Sequence, residues 1–338
     1  MKITDENIKK YLFGALCVWK EEDWLCFSRF TQRQAQILEE RNFSLHKRAT
    51  AGMRLEFMTH GGEIFFDYEM GKANGGPVGY CGLEITQNGM PVYHIFEREL
   101  FATGEVRFEV KQTNKPLHIS IYFPNLAYLK IKNVQIPDDS GIVKKNKKLL
   151  ALGDSITQGA VSQHAHHTYV NILADQLQVD VLNQGIGGER FCSNFLEKLS
   201  FEPDFITVGY GVNDYQIGTI CSGEIEKYFE KLTSLYPKTP VFVLLPIWWQ
   251  QENVDRNGHT LEDYRVHIKK VAKQYPNVTI FESGSFLPPI NEFYWDDVHL
   301  HPNDLGFLYY GHLLSKKLKD TFICNNMDRY FENRHEEN

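Results

Sequence analysis

The sequence contains no uninterrupted apolar run approaching the ~20 residues that carry a helix across a bilayer, so a membrane-spanning helix is not expected. No long basic stripe occurs either. The formal net charge is -7 and the only dense basic cluster is the short Lys144-Lys145-Asn146-Lys147-Lys148, which argues against a nucleic acid partner. Cysteine is sparse. Cys17, Cys26, Cys81, Cys192, Cys221 and Cys324 form no Cys-x-x-Cys pair and no metal-ligand rhythm, a pattern expected of reduced structural thiols. The first residues, Met1-Lys2-Ile3-Thr4-Asp5-Glu6-Asn7, place acids where a secretory leader carries a basic start and an apolar core. A cytoplasmic protein is the expectation.

What is present is ordinary globular material, 42% hydrophobic and 23% charged over 338 residues, which is long enough for two domains with a large core. The rhythm changes part-way along. Residues 1–140 read as β-rich, with apolar–polar alternation in Met53 to Met58, Glu105 to Val110 and Leu117 to Phe123, and turn signals at Gly61-Gly62, Asn74-Gly75-Gly76 and Asn88-Gly89. An antiparallel β-sandwich of the jelly-roll kind is expected there. Residues 141–148 read as a solvated basic linker. From 149 to 325 apolar strands alternate with helical segments: strands at Leu149–Leu152, Val179–Leu182, Phe205–Val208, Val241–Leu245 and Val278–Phe281, helices near 169–177, 225–236, 261–274 and 305–319. That alternation predicts an α/β domain with a mostly parallel sheet covered on both faces, whose ligands lie beyond the carboxyl ends of the strands. Residues 326–338 form a polar tail.

Four blocks fall at such strand ends. Gly153-Asp154-Ser155-Ile156-Thr157 follows the first apolar run and presents Ser155 as a candidate nucleophile. Asn183-Gln184-Gly185-Ile186-Gly187-Gly188-Glu189-Arg190 is a glycine-rich loop without the Gly-x-Gly-x-x-Gly spacing or the Lys-Ser/Thr ending of nucleotide sites, which leaves oxyanion donation by backbone N–H as its better reading. Gly209-Tyr210-Gly211-Val212-Asn213-Asp214 brings a carboxamide, able to donate to a developing negative charge. The last block, Trp295 to Phe307, holds Asp296, Asp297, His299 and His301; an Asp three residues before a His fixes its tautomer and frees Nε2 to take a proton.

In this order the blocks resemble the SGNH or GDSL-type serine hydrolases, over about Leu149 to Leu318. The resemblance implies a flavodoxin-like three-layer fold, Ser155 as nucleophile, an oxyanion hole from Ser155 N–H, Gly188 N–H and the Asn213 side chain, and an Asp–His pair from the last block. One departure stands out. Asp296 with His299 has the Asp-x-x-His spacing, whereas His301, followed by Pro302 and Gly306, has the downstream spacing, so both histidines remain candidates, with Asp296 or Asp297 as partner. The expected reaction is ester hydrolysis through an acyl-enzyme. No metal or other cofactor is expected, and Gln163-His164-Ala165-His166-His167, with no carboxylate at ligand spacing, reads as a surface loop. Ser155 is not in Gly-x-Ser-x-Gly, so the strained elbow of α/β-hydrolases is not implied.

A β-sandwich ahead of such a domain looks like the two-domain carbohydrate acetylesterases, which suggests a small acyl group, acetyl, on a sugar. Trp248 and Trp249, just past a strand end, are candidate substrate-binding residues. A lysophospholipase or thioesterase is the enzymatic alternative. A non-catalytic carbohydrate-binding protein on the same scaffold is the alternative of another class.

Overall fold

The computed structural model describes all residues except 5, 73–80, 98–100, 290–291, 296–299 and 325–338. The Asn74-Gly75-Gly76 turn, Asp296, Asp297, His299 and the polar tail therefore lie outside the described residues. In the first part of the chain the strands are β1 (Leu12–Phe13), β2 (Cys17–Glu21), β3 (Trp24–Ser28), β4 (Arg54–Thr59), β5 (Gly62–Lys72), β6 (Cys81–Gln87), β7 (Met90–Glu97), β8 (Phe101–Val110), β9 (Leu117–Tyr122), β10 (Ala127–Gln135) and β11 (Gly141–Ile142). They form two antiparallel sheets among the described residues. One runs β1-β4-β9-β6-β7 with β11 beside β4, the other β2-β3-β10-β5-β8.

Alternation places one face of each sheet inward. Ala127, Leu129 and Ile131 of β10 are buried while the residues between them are half-exposed, the period-2 pattern of a strand with one dry face. Phe66 and Ile131 from one sheet share a single apolar cluster with Phe57, Ile85 and Ile121 from the other. Between β6 and β7, Asn88 and Gly89 both have positive φ (52° and 80°), which a tight hairpin turn requires.

The second part is parallel. Its strands are β12 (Lys147–Gly153), β13 (Val179–Gly185), β14 (Phe205–Gly209), β15 (Val241–Leu244) and β16 (Val278–Phe281), in the order β13-β12-β14-β15-β16. This is the flavodoxin-like order 2-1-3-4-5, whose crevice opens where the order reverses, at the ends of β12 and β14. The longer helices of this part are α3 (Tyr169–Gln176), α5 (Glu224–Leu235), α6 (Leu261–Ala272) and α7 (Asp304–Cys324). One face of the sheet packs against α3 and α7 and the other against α5 and α6, giving three layers. Two short helices, α2 (Ser155–Gln158) and α4 (Val212–Ile217), follow β12 and β14 directly.

Two expectations need correction. Helix α1 (Gln32–Glu40) interrupts the β-rich part, started by Thr31 and Gln34, whose side chains each bond the other's backbone N–H. Segment 141–148, although exposed at Gly141, Ile142, Lys144 and Asn146, is more than a linker. Its first two residues pair with β4, Lys147 and Lys148 open β12, and the Lys145 side chain is fully buried with Nζ 3.1 Å from the carboxylate of Glu56. The reason is electrostatic: Glu56 and its neighbour Arg54 are buried charges, and Lys145 with His118 completes their partners.

Candidate active site

Strand β12 ends at Gly153, where no side chain fits. A Cβ there falls 2.0 Å from Thr157 Oγ1 and 2.7 Å from the Gly209 carbonyl oxygen. The chain turns into α2, capped by the Asp154 carboxylate, which accepts the Ile156 N–H at 3.0 Å. Ser155 is the first residue of that turn, 8% exposed, and its Oγ lies 2.7 Å from His301 Nε2. This is hydrogen-bond reach for proton transfer. Burial pushes the Asp154 carboxyl up to about 7, against the pull of the Ile156 N–H and of His301. Its observed contact is with the backbone of α2.

The glycine-rich loop leaves β13 and is tied down at several points. Asn183 donates from Nδ2 to the Thr157 carbonyl at 2.8 Å and accepts the Gly185 N–H at 2.8 Å; Gly187 N–H donates to Gln158 Oε1 at 2.7 Å. Gln158 in turn donates to the Asn125 carbonyl at 3.1 Å. Gly188 has φ +82°, and a Cβ there meets the Phe43 ring only at an ordinary 3.5 Å. Backbone conformation, not space, calls for glycine at that position.

Asn213 sits in the first turn of α4 and donates from Nδ2 to the Glu189 carbonyl at 2.9 Å. An amide nitrogen carries two N–H donors, so this bond joins the second and third blocks and leaves the other donor for a ligand. Asp214 beside it accepts the Phe191 N–H at 3.4 Å, and burial raises its carboxyl to about 7.

The His301 segment is anchored on both sides. Trp295 and Pro302 form an isolated bridge, Asn303 N–H donates to the Tyr294 carbonyl at 3.0 Å, and Asn303 Oδ1 accepts the Gly306 N–H at 2.9 Å. A Cβ at Gly306 falls 2.1 Å from that same Tyr294 oxygen. Trp248 is half-buried and packs edge-on against Trp295 at 5.3 Å, part of the wall behind this segment.

Trp249 corrects an expectation. It is 3% exposed and packs against Tyr215 at 5.8 Å, within a cluster that includes Val212 and Tyr264, so its indole faces the interior and not the substrate rim. The histidine-rich loop is a second correction. Glu84 of β6 bonds both His164 and His166, a carboxylate supplied from about eighty positions away, which spacing within the loop had no means of showing.

Sequence reasoning also missed Arg29. It is fully buried and donates to the carbonyls of Ala49 at 2.8 Å, Asn183 at 2.6 Å and Gly185 at 2.9 Å, fixing the end of β13 from the N-terminal part of the chain. Burial with no carboxylate partner lowers its guanidinium to about 9. Its acceptors are backbone atoms, so no local sequence signal marks it. Arg41, paired with buried Glu189, was missed for a different reason, the 148 positions that separate the two in the chain.

Residues 151–307 match the model of the GDSL-like lipase/acylhydrolase family. No curated protein sequence matches the chain. Among solved structures the chain is similar to a salicylyl-acyltransferase from a tetracycline biosynthetic pathway, at 16% identity and TM-score 0.78 over 92% of this chain and 94% of that one. It is also similar to an acetyl xylan esterase from the rumen bacterium Butyrivibrio proteoclasticus, at 15% identity and TM-score 0.65, covering 98% and 99% of the two chains. A family two carbohydrate esterase from Clostridium thermocellum, in complex with cellohexaose, matches at 14% identity and TM-score 0.61 over 81% and 94%. At such identities the structural likeness shows the fold; the activity class comes with the family match. Residues 151–307 are a GDSL-like lipase/acylhydrolase domain, and the protein that carries them is an ester hydrolase.

Proposed function

We propose that the protein removes small acyl groups, acetyl first among them, from a carbohydrate. Ser155 is the nucleophile, His301 its general base, and Asp296 or Asp297 the carboxylate that orients the ring. The observation that carries this reading is the 2.7 Å approach of Ser155 Oγ to His301 Nε2. It favours His301 over His299 as the base. The Ser155 proton passes to Nε2 as Oγ attacks the ester carbonyl, Ser155 N–H, Gly188 N–H and the second Asn213 N–H receive the oxyanion, and the imidazolium protonates the leaving alcohol. Water then repeats the steps on the acyl-enzyme.

The carbohydrate part rests on the names of two structural relatives, an acetyl xylan esterase and a carbohydrate esterase holding cellohexaose. Residues 1–140 are read as an accessory jelly-roll-like β-sandwich and 149–325 as the catalytic domain. A second reading, transfer of the acyl group to another alcohol, draws on the likeness to the salicylyl-acyltransferase, which spans 92% of this chain. Turnover of nitrophenyl acetate and of acetylated xylo-oligosaccharides, with and without an added alcohol acceptor, tests both. Ser155→Ala and His301→Ala are each expected to lower kcat by about 10⁴-fold or more, and His299→Ala to leave most of it. Retention of activity in His301→Ala, with loss in His299→Ala, overturns the assignment of the base.

A further inference from the structure

Glu84 is a fully buried carboxylate on β6 whose apolar neighbours, Leu83 and Ile85, point into the N-terminal core. By strand alternation Glu84 faces the other way, towards the parallel-sheet part of the molecule. His94 of β7 stands directly opposite it in the ladder. From across the seam come His164, which bonds Glu84 through Nδ1, and His166, whose Nδ1 and backbone N–H approach the other carboxylate oxygen at 2.8 and 3.2 Å. The His94 and His164 rings lie 4.8 Å apart, and His166 and His167 4.0 Å apart.

We infer that Glu84, His94 and His164 form a binding site for a divalent transition metal of the Zn²⁺ class, bridging the N-terminal sheets and the loop that follows the nucleophile. One ligand atom from each of the three lies within 4.8 Å of the others. Ligand atoms around tetrahedral zinc are about 3.4 Å apart, so side-chain rotation suffices to close the set. Two imidazoles and a carboxylate without a thiolate suit Zn²⁺ and Co²⁺ over the oxygen-seeking Mg²⁺. A fourth position falls to His166 or to water. His94 is exposed and His164 partly so, which gives an ion a way in, while Glu84 is buried at the base.

The surroundings hold the loop in place. Asp304, at the start of α7, accepts the His164 N–H at 3.2 Å, and the single Ser162 O–H lies between two acceptors, the Asp304 carboxylate at 2.6 Å and the His164 carbonyl at 2.8 Å. Backbone support of this kind orients ligands before the metal arrives. Asp304 lies three residues after His301 and His164 nine after Ser155, so a bound ion ties the N-terminal sheets to both arms of the active site. Its role there is structural.

Calorimetric titration of the full chain with Zn²⁺ after chelator treatment, alongside thermal unfolding in Zn²⁺ or Mg²⁺, tests the site. One equivalent of Zn²⁺ bound, with a rise in Tm that Mg²⁺ does not reproduce, is expected, and His94→Ala is expected to weaken binding more than tenfold at unchanged metal-free Tm. No Zn²⁺ binding in the wild type, or equal binding by His94→Ala, overturns the proposal; with thirteen histidines in the chain, the latter identifies adventitious sites. Should His94→Ala fail to fold, the visible spectrum of the Co²⁺-loaded wild type decides. Strong four-coordinate bands at one equivalent support the site, and their absence overturns it.

Discussion

Asp154 and Asp214 are buried carboxyls that desolvation pushes up to about 7 from an ordinary 3.8. Between about pH 4 and pH 7 the folded protein therefore keeps protons that the unfolded chain has released, and stability falls as pH rises through that window. Asparagine at 154 keeps the cap on α2 but cannot ionise. Chemical denaturation at pH 5 and pH 8 is expected to show a smaller difference for Asp154→Asn than for the wild type; an unchanged difference removes Asp154 from this account. At this scale the sequence was legible where chemistry comes with local spacing. Ser155 and Asn213 drew attention as candidates because each closely follows an apolar strand run, and Gly188 was singled out through the resemblance to the serine hydrolases. Trp249 was misread because two adjacent indoles look alike in sequence, while the backbone turns one inward. Glu84 was invisible as a partner of His164 because only the sheet packing brings a β6 carboxylate to that loop.

At the scale of elements, periodicity located every strand of the parallel sheet and each of its longer helices to within a few residues. Those elements are amphipathic or wholly buried, so their patterns survive in sequence. Helix α1 escaped because Gln32–Glu40 is mostly polar and offers only Ile37 and Leu38 as large apolar positions, too few to draw a helical stripe. Its position matters: Gln34 meets the Gln184 side-chain amide at 3.0–3.1 Å, and Leu38 packs against Ile186. Arg29 just before it performs a similar task with its three carbonyl contacts. Replacing it with methionine fills the space but strands buried acceptors, at a cost of roughly 2–4 kcal/mol. Urea denaturation of Arg29→Met is expected to report a loss of that size, with a fall in kcat as the glycine-rich loop relaxes. A fully stable and active variant shows that the loop is set from within the parallel-sheet part alone.

For the molecule as a whole, the change in rhythm near residue 140 was plain in the sequence, but the closeness of the two parts was not. Gly14 N–H donates to Asp180 Oδ1 at 3.0 Å, and Tyr122 Oη–H donates to Asp175 at 2.6 Å. A Cβ on Gly52 would press to 2.7 Å from Asn183 Cβ, on the first residue of the glycine-rich block. These contacts join residues far apart in the chain, and no window of sequence contains both ends of any of them. A chain beginning at Gly141 loses Arg29, Gln34 and Asn125 together and exposes their partners. It is expected to be largely insoluble, with no labelling of Ser155 by a fluorophosphonate in the soluble fraction; soluble, labelled protein shows that the parallel sheet folds unaided.

Ser155 and His301 are separated by 146 positions. At ribosomal speeds of about 5–20 residues per second, roughly 7–30 s pass between the synthesis of the two. Throughout that interval the nascent chain carries the Ser155 hydroxyl without the imidazole that lies 2.7 Å from it in the folded protein. Any product released before residue 301 lacks that pairing altogether, because its two halves come from opposite ends of the parallel-sheet part of the chain.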